Sequence, residues 1–112
     1  AADPDDGRNL VLHEFAHQLD FEDGSTDGTP ALESSAQARS WAAVFGNELE
    51  TLRRAADAGE PTLLDPYGAQ DPAEFFAVAT ETFFERGRDL SLQHPKLYEE
   101  LRRFYRQDPA AW

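Results

Sequence analysis

The sequence contains no cysteine among its 112 residues. Disulfide bonds and thiolate metal ligands are therefore both excluded. The strong metal ligands that remain are histidine nitrogens and carboxylate oxygens, and the chain has 3 His against 22 Asp and Glu. Any zinc ion bound by this protein would be held by nitrogen and oxygen.

Positive charge is also scarce, because 10 Lys and Arg face 22 Asp and Glu and leave a net charge of −12. Nucleic acid and anionic membrane surfaces are therefore disfavoured as partners. Long apolar runs are absent and the first stretch, AADPDDGRN, is acidic, which predicts neither a membrane span nor a signal peptide. We expect a cytoplasmic protein with a single domain over residues 1–112.

The spacing of apolar residues predicts an all-α fold with four helices and no convincing strand. The predicted helices run from Asp5 or Asp6 to Leu19 or Phe21, from between Leu32 and Ser35 to Asp57, from Pro72 behind an Asp71 N-cap, and from Pro95 to Arg106. Expected core residues are Leu10, Phe15 and Leu19, then Trp41, Val44, Phe45, Leu49 and Leu52, then the phenylalanine pairs 75/76 and 83/84, and finally Leu97, Leu101 and Phe104.

The pentapeptide HEFAH, residues 13 to 17, has the H-E-x-x-H pattern of zinc peptidases. At roughly 100° per residue, His13 and His17 lie within about 40° of each other on a helix, so both imidazoles can face one ion. Glu14 is turned away by one residue's rotation, which lets it act as a general base on a zinc-activated water without being a ligand. The alternative is two unrelated histidines on a helix surface.

A catalytic zinc site usually has a third protein ligand, and the spacing leaves several candidates. Asp20 lies one turn after the second histidine, and Asp23 and Asp27 follow in a loop rich in Gly, Asp, Ser and Thr. Glu74 and Glu81 share one face of the third helix. A ligand from a separate helix is geometrically freer than one on the next turn of the same helix, which favours Glu74 or Glu81. The alternative role for Glu74 is a capping box at the start of its helix.

Two stretches, HEFAHQLD and YGAQDPAEFFAVATETFF, resemble the Mlc titration factor A family of zinc peptidases, and the second is also similar to the catalytic domain of anthrax lethal factor. With the tail LYEELRRFYRQDP, the similarity extends from Asn9 over nearly the whole chain. The resemblance implies a zincin-type catalytic core with Glu74 as the third zinc ligand beside His13 and His17. It also implies that Tyr67 donates to the oxyanion and that short peptides are cleaved, as by an aminopeptidase.

The chain departs from the resembled pattern in two places. Peptidases with a glutamate ligand commonly carry an acidic residue four places after it, which supports a histidine, but this chain has Val78 there. Support for the histidines is then expected from Asp20 or Glu81. Members of the family also carry an N-terminal portion with a sheet that aligns the substrate. We expect a catalytic core without that sheet, which is either excised from a longer protein or a minimal member of the family.

The second hypothesis is a regulatory binding module of the same fold. Some relatives in the resembled family are named for sequestering a transcriptional repressor, and an acidic surface would suit a basic partner.

Three further features have simpler interpretations. We expect the arginine pairs 53/54 and 102/103 on solvated helix faces, and His94 in a turn or cap before Pro95.

Overall fold

The computed structural model describes residues 10–21 and 29–112, except for the side chains of residues 10, 20 and 21. In these ranges the chain forms five α-helices and no β-strand, which confirms the predicted all-α class. The helices are α1 (Leu10–Phe21), α2 (Ser35–Asp57), α3 (Pro72–Glu85), α4 (Gly87–Gln93) and α5 (Pro95–Tyr105). Short 3₁₀ helices at Pro66–Ala69 and Pro109–Ala111 are called the Tyr67 turn and the Pro109 turn. None of the described helices is long and apolar enough to cross a membrane.

Helix α2 begins and ends where local signals place it. The Ser34 side chain accepts a hydrogen bond from the Gln37 N–H at 3.1 Å, which is an N-cap. The helix ends ahead of Gly59, whose φ of 69° stops the helical path without a Cβ clash. Its apolar face is buried against the core through Trp41, Phe45, Leu49 and Leu52, with Val44 partly buried. The predicted second helix is therefore confirmed.

Helix α3 lies in the middle of the molecule, with α1, α4, α5 and the Tyr67 turn packed around it. The Asp71 side chain accepts from the Glu74 N–H at 2.9 Å, and Pro72 occupies the first turn, as predicted. Every residue from Phe75 to Phe83 is buried, and Phe84 packs against the core while partly exposed. Both phenylalanine pairs therefore belong to the core.

Helix α4 was not predicted from the sequence. It has only seven residues, and its buried positions are Gly87 and Leu90, so it shows too little periodicity to be recognised. Gly87 permits a close approach, because a Cβ on it would lie 2.9 Å from the Pro109 Cβ. His94 joins α4 to α5 and caps α4 through its backbone N–H, which confirms the interpretation of His94 as a cap residue.

Helix α1 packs on α3 through the face that carries the histidines. Ala16 is fully buried there and Leu19 is partly buried. Phe15, predicted to be in the core, is 49% exposed, and Val11 is 78% exposed. The prediction for Phe15 was wrong because two residues correspond to about 200° on a helix, which turns Phe15 away from the face on which His13 lies. The expected start at Asp5 or Asp6, with Asp23 and Asp27, lies outside the described residues.

Tyr105 is expected to make the stability of the protein sensitive to alkaline pH. Its hydroxyl lies 2.9 Å from the Thr80 hydroxyl, and burial raises the pKa of Tyr105 above 10.0. The folded state therefore favours the neutral phenol, whereas the unfolded chain ionises near pH 10. The stabilisation is fully present below about pH 10 and lost above it, by up to about 1.4 kcal/mol per pH unit for one such group. In urea unfolding at pH 8 to 11, we expect Tyr105→Phe to flatten this decline, and an unchanged slope would contradict the prediction.

Candidate metal centre

Three side chains from two helices converge at one point. Helix α1 presents His13 and His17 from successive turns, and α3 presents Glu74 from its first turn. The two Nε2 atoms are 3.2 Å apart. Nε2 of His17 lies 2.6 Å from Glu74 Oε1, and Nε2 of His13 lies 3.3 Å from Glu74 Oε2. One ligand atom from each residue falls within 4.8 Å of the others, so this group could hold a metal ion.

The donor set fits a divalent metal with nitrogen and oxygen ligands. Ligand bonds of about 2.0–2.1 Å in a tetrahedral site place neighbouring donor atoms about 3.3 Å apart. The separations of His13 Nε2 from His17 Nε2 and from Glu74 Oε2, 3.2 and 3.3 Å, match that edge. Oε2 of Glu74 is also buried and accepts no hydrogen bond in the described part of the chain. Two imidazole nitrogens at this distance either share a hydrogen bond or bind the same cation. A cation would also pair with the buried Oε2 of Glu74.

The start of α3 directs the Glu74 side chain into this site. Its backbone N–H is bonded to the Asp71 side chain, so the helix cap forms as predicted. In a capping box the Glu74 carboxylate would bend back to the Asp71 N–H. It instead faces both histidines. Glu74 therefore takes part in the cap through its backbone and in the candidate site through its side chain.

A second carboxylate lies behind the site. Glu81 Oε1 contacts Nδ1 of His13, on the opposite side of the ring from Glu74. Glu81 lies seven residues after Glu74, which brings it to nearly the same face of α3 two turns later. The sequence left Asp20 and Glu81 as alternatives for supporting a histidine, and for His13 the structure shows Glu81. The Asp20 side chain is outside the described part of the chain.

Tyr67 lies near the three converging side chains, and Glu14 is next to His13 in sequence. The Tyr67 ring lies 6.1 Å from the His13 ring between centroids, and the residue is 40% exposed. Glu14 follows His13 on α1 and is exposed to solvent. Both residues are therefore accessible to solvent. Their predicted catalytic roles remain predictions.

The Tyr67 turn is held by a side-chain hydrogen bond at each end. Asp65 caps it by accepting from the Tyr67 N–H at 2.9 Å. Arg53 of α2 donates from Nε to the Ala69 carbonyl at 2.9 Å, at the other end of the turn. The expectation that Arg53 lies on a solvated face was wrong, since Arg53 is partly buried and makes this contact across 16 positions of sequence. No local pattern predicts such a bond.

Gly68 lets the Tyr67 turn approach α3 closely, because a Cβ on it would lie 3.1 Å from the Val78 Cβ. Alanine for glycine at an ordinary φ normally stabilises a protein by about 0.4–1 kcal/mol. Here overpacking should reverse the sign, and we expect Gly68→Ala to lower the free energy of unfolding by about 1 kcal/mol. Denaturant unfolding measures the change.

The matched control is a double-mutant cycle with Val78→Ala. If the two side chains collide as the structure indicates, the pair should show a favourable coupling of about 0.5–3 kcal/mol. A stabilising Gly68→Ala, or additive effects in the cycle, would contradict the close approach.

Comparison with known proteins agrees with this site. Residues 1–106 match the family model described as glucose-regulated metallo-peptidase M90. An uncharacterized protein of Synechocystis sp. is 46% identical over 104 residues, covering 93% of this chain and 38% of that protein. Proteins named Mlc titration factor A from Edwardsiella ictaluri and Pectobacterium atrosepticum are each 39% identical, over 92% and 94% of this chain and 40% of their own length.

This chain therefore spans about two fifths of the length of these curated relatives. The matched region includes the candidate metal site and helices α1 to α5. The chain belongs to the glucose-regulated metallo-peptidase M90 family.

Proposed function

We propose that this chain is the catalytic part of a zinc-dependent peptidase that hydrolyses peptide bonds with an activated water. The observation that supports this best is the convergence of His13, His17 and Glu74. The donors are two imidazoles and one carboxylate, a set that catalytic zinc sites use together with an open position. Bound zinc would supply a Lewis acid and lower the pKa of a water molecule toward neutrality.

We propose roles for two further side chains, Glu14 and Tyr67. Glu14 would take the proton from the attacking water and return it to the leaving amine. Its exposure leaves the carboxylate accessible to substrate. Tyr67 would donate a hydrogen bond to the oxyanion that develops on the scissile carbonyl, since a phenol is a neutral donor at pH 7. The attachment of its turn to α2 and α3 would hold this donor in place.

The test of this proposal is metal content followed by peptide hydrolysis. Metal-free protein should bind one equivalent of zinc and then cleave short peptides, and a chelator should remove both properties. Paired peptides with free and acetylated amino termini separate aminopeptidase-like action, which requires the free amine, from internal cleavage. Binding of zinc without hydrolysis of either peptide would overturn the proposed activity for this chain.

Replacing Tyr67 by phenylalanine removes the proposed oxyanion donor and keeps the ring. Removal of one such donor typically lowers kcat by about 10²–10³-fold. We expect a loss of that size in kcat. Zinc affinity should be unchanged, because Tyr67 is not one of the proposed ligands and its ring centroid lies 6.1 Å from that of His13. Steady-state kinetics with a zinc titration checks both. A fall in zinc affinity equal to the fall in kcat would contradict the assigned role.

A second candidate function is titration of a protein partner. It is favoured by the name Mlc titration factor A, carried by three relatives at 39% identity, and by this chain's net charge of −12. An acidic surface would attract a basic partner and accelerate association at low salt. Binding of a protein equivalent to Mlc, retained by a hydrolysis-deficient Glu14→Gln protein, would support this function. Absence of such binding by the wild type would exclude it.

A further inference from the structure

We propose that Glu81 is the positioning residue that holds His13 in the orientation and tautomer required for metal binding. This inference rests on the proposed function, because it assigns His13 as a ligand. It goes beyond that function by naming a buried carboxylate outside the ligand set. Glu81 would act through His13, and it would contact neither the metal ion nor the substrate.

The geometry at the His13 ring carries the proposal. A neutral imidazole has one N–H donor and one lone pair, so a nitrogen binds metal only if the other one carries the proton. Nε2 of His13 faces His17 and Glu74, and Nδ1 faces Glu81 Oε1. A hydrogen bond from the Nδ1 proton to Glu81 would leave the Nε2 lone pair directed into the site. Histidine ligands in metalloproteins usually have such an acceptor on the second nitrogen.

The burial of Glu81 points the same way. The residue is 1% exposed and lies between Thr80 and Thr82 in the most buried stretch of α3. A carboxylate there is costly unless it is paired, and an apolar side chain of similar size would pack without that cost. It forms an ion pair with His13. A buried carboxylate that contacts a proposed metal ligand is better explained by a role in the metal site than by a contribution to the stability of the fold.

The packing of α3 also explains why this support comes from position 81. The place four residues after Glu74 is occupied by Val78, which packs against the Tyr67 turn at Gly68. Seven residues after Glu74 the helix returns to within about 20° of the same direction, closer than the roughly 40° offset at position 78. Glu81 therefore contacts His13 at Nδ1, the nitrogen that faces away from the candidate site. Val78 packs against the Tyr67 turn instead.

The experiment compares Glu81→Gln, which keeps the shape and a neutral acceptor, with Glu81→Met, which has no acceptor. The matched control is Glu48→Gln. Glu48 lies on α2 and forms the same kind of pair with a histidine, since its Oε2 is 2.6 Å from Nδ1 of His94. We measure the zinc Kd by chelator competition, the visible spectrum of the Co²⁺-loaded protein, and the helix content of the metal-free protein.

We expect the zinc Kd to rise about 10-fold in Glu81→Gln and about 100-fold in Glu81→Met, the range found for outer-shell partners. The Co²⁺ spectrum should change in both variants, while Glu48→Gln keeps the wild-type Kd and spectrum. Metal-free helix content should match the wild type throughout.

Wild-type Kd values in both Glu81 variants would overturn the proposal. So would a loss of zinc binding that accompanies loss of helix in the metal-free protein, because Glu81 would then serve the fold. If the wild-type protein itself bound no zinc, the proposed function would fail instead, so the two failures are distinguishable.

Discussion

A Glu14→Gln variant is expected to lose peptide hydrolysis by about 10²–10⁴-fold, the usual contribution of a general acid–base residue. The amide keeps the size of the side chain but cannot take the proton from the attacking water. Zinc binding should be unchanged, because the ligand set converges on the α3 side of α1 and Glu14 is exposed to solvent. Initial rates with a saturating peptide, alongside a zinc titration, measure both quantities.

The matched control for this variant is Glu60→Gln, which removes the same charge from another exposed position, just after α2. It should retain full hydrolysis, so that a loss in Glu14→Gln cannot reflect net charge alone. Equal activity in Glu14→Gln and wild type would rule out Glu14 as the base. Loss of zinc from Glu14→Gln would instead place its carboxylate in the ligand set.

A Glu74→Ala variant is expected to lose stoichiometric zinc binding. Removal of an outer partner of a ligand already costs about 10–100-fold in affinity, so removal of a ligand should exceed the upper end of that range. The two histidines would remain, but two donors from one helix do not enclose an ion. Hydrolysis should disappear with the metal, and excess zinc should not restore it at concentrations that saturate the wild type.

Thermal unfolding gives an independent readout of the same variant. Zinc at 100 times its Kd should stabilise the wild-type protein by about 2.7 kcal/mol, and it should leave Glu74→Ala almost unchanged. Glu85→Ala is the control, because Glu85 ends the same helix away from the site and should keep the zinc-dependent rise in Tm. A full zinc-dependent rise in Glu74→Ala would show that another group completes the site.

Several elements were predictable because their causes are local. The N-caps of α2 and α3 are side chains that bond to the backbone three residues later. Asp71 was therefore recognised from the sequence, and the start of α2 was placed within a few residues of Ser34. The spacing of His13 and His17 is equally local, since four residues are about one helical turn. The apolar face of α2 was predicted correctly because its 23 residues repeat the pattern several times.

Other features depended on contacts between distant segments. Phe15 appeared to be a core residue, yet α1 packs on α3 through the face of Ala16, and only the neighbouring helix determines which face that is. Helix α4 is too short for periodicity to reveal it, and it forms where Gly87 fits against the Pro109 turn. Arg53 reaches the Tyr67 turn across a distance in sequence that no local pattern describes.

The candidate site divides in the same way. The residues alone determined that a helix carries HEFAH, that cysteine cannot be a ligand, and that α3 offers two carboxylates on one face. They left Glu74 and Glu81 as alternatives, which only the family resemblance separated. The tertiary structure places Glu74 at the Nε2 atoms of both histidines and Glu81 at Nδ1 of His13, because the packing of α1 on α3 decides which carboxylate reaches which nitrogen.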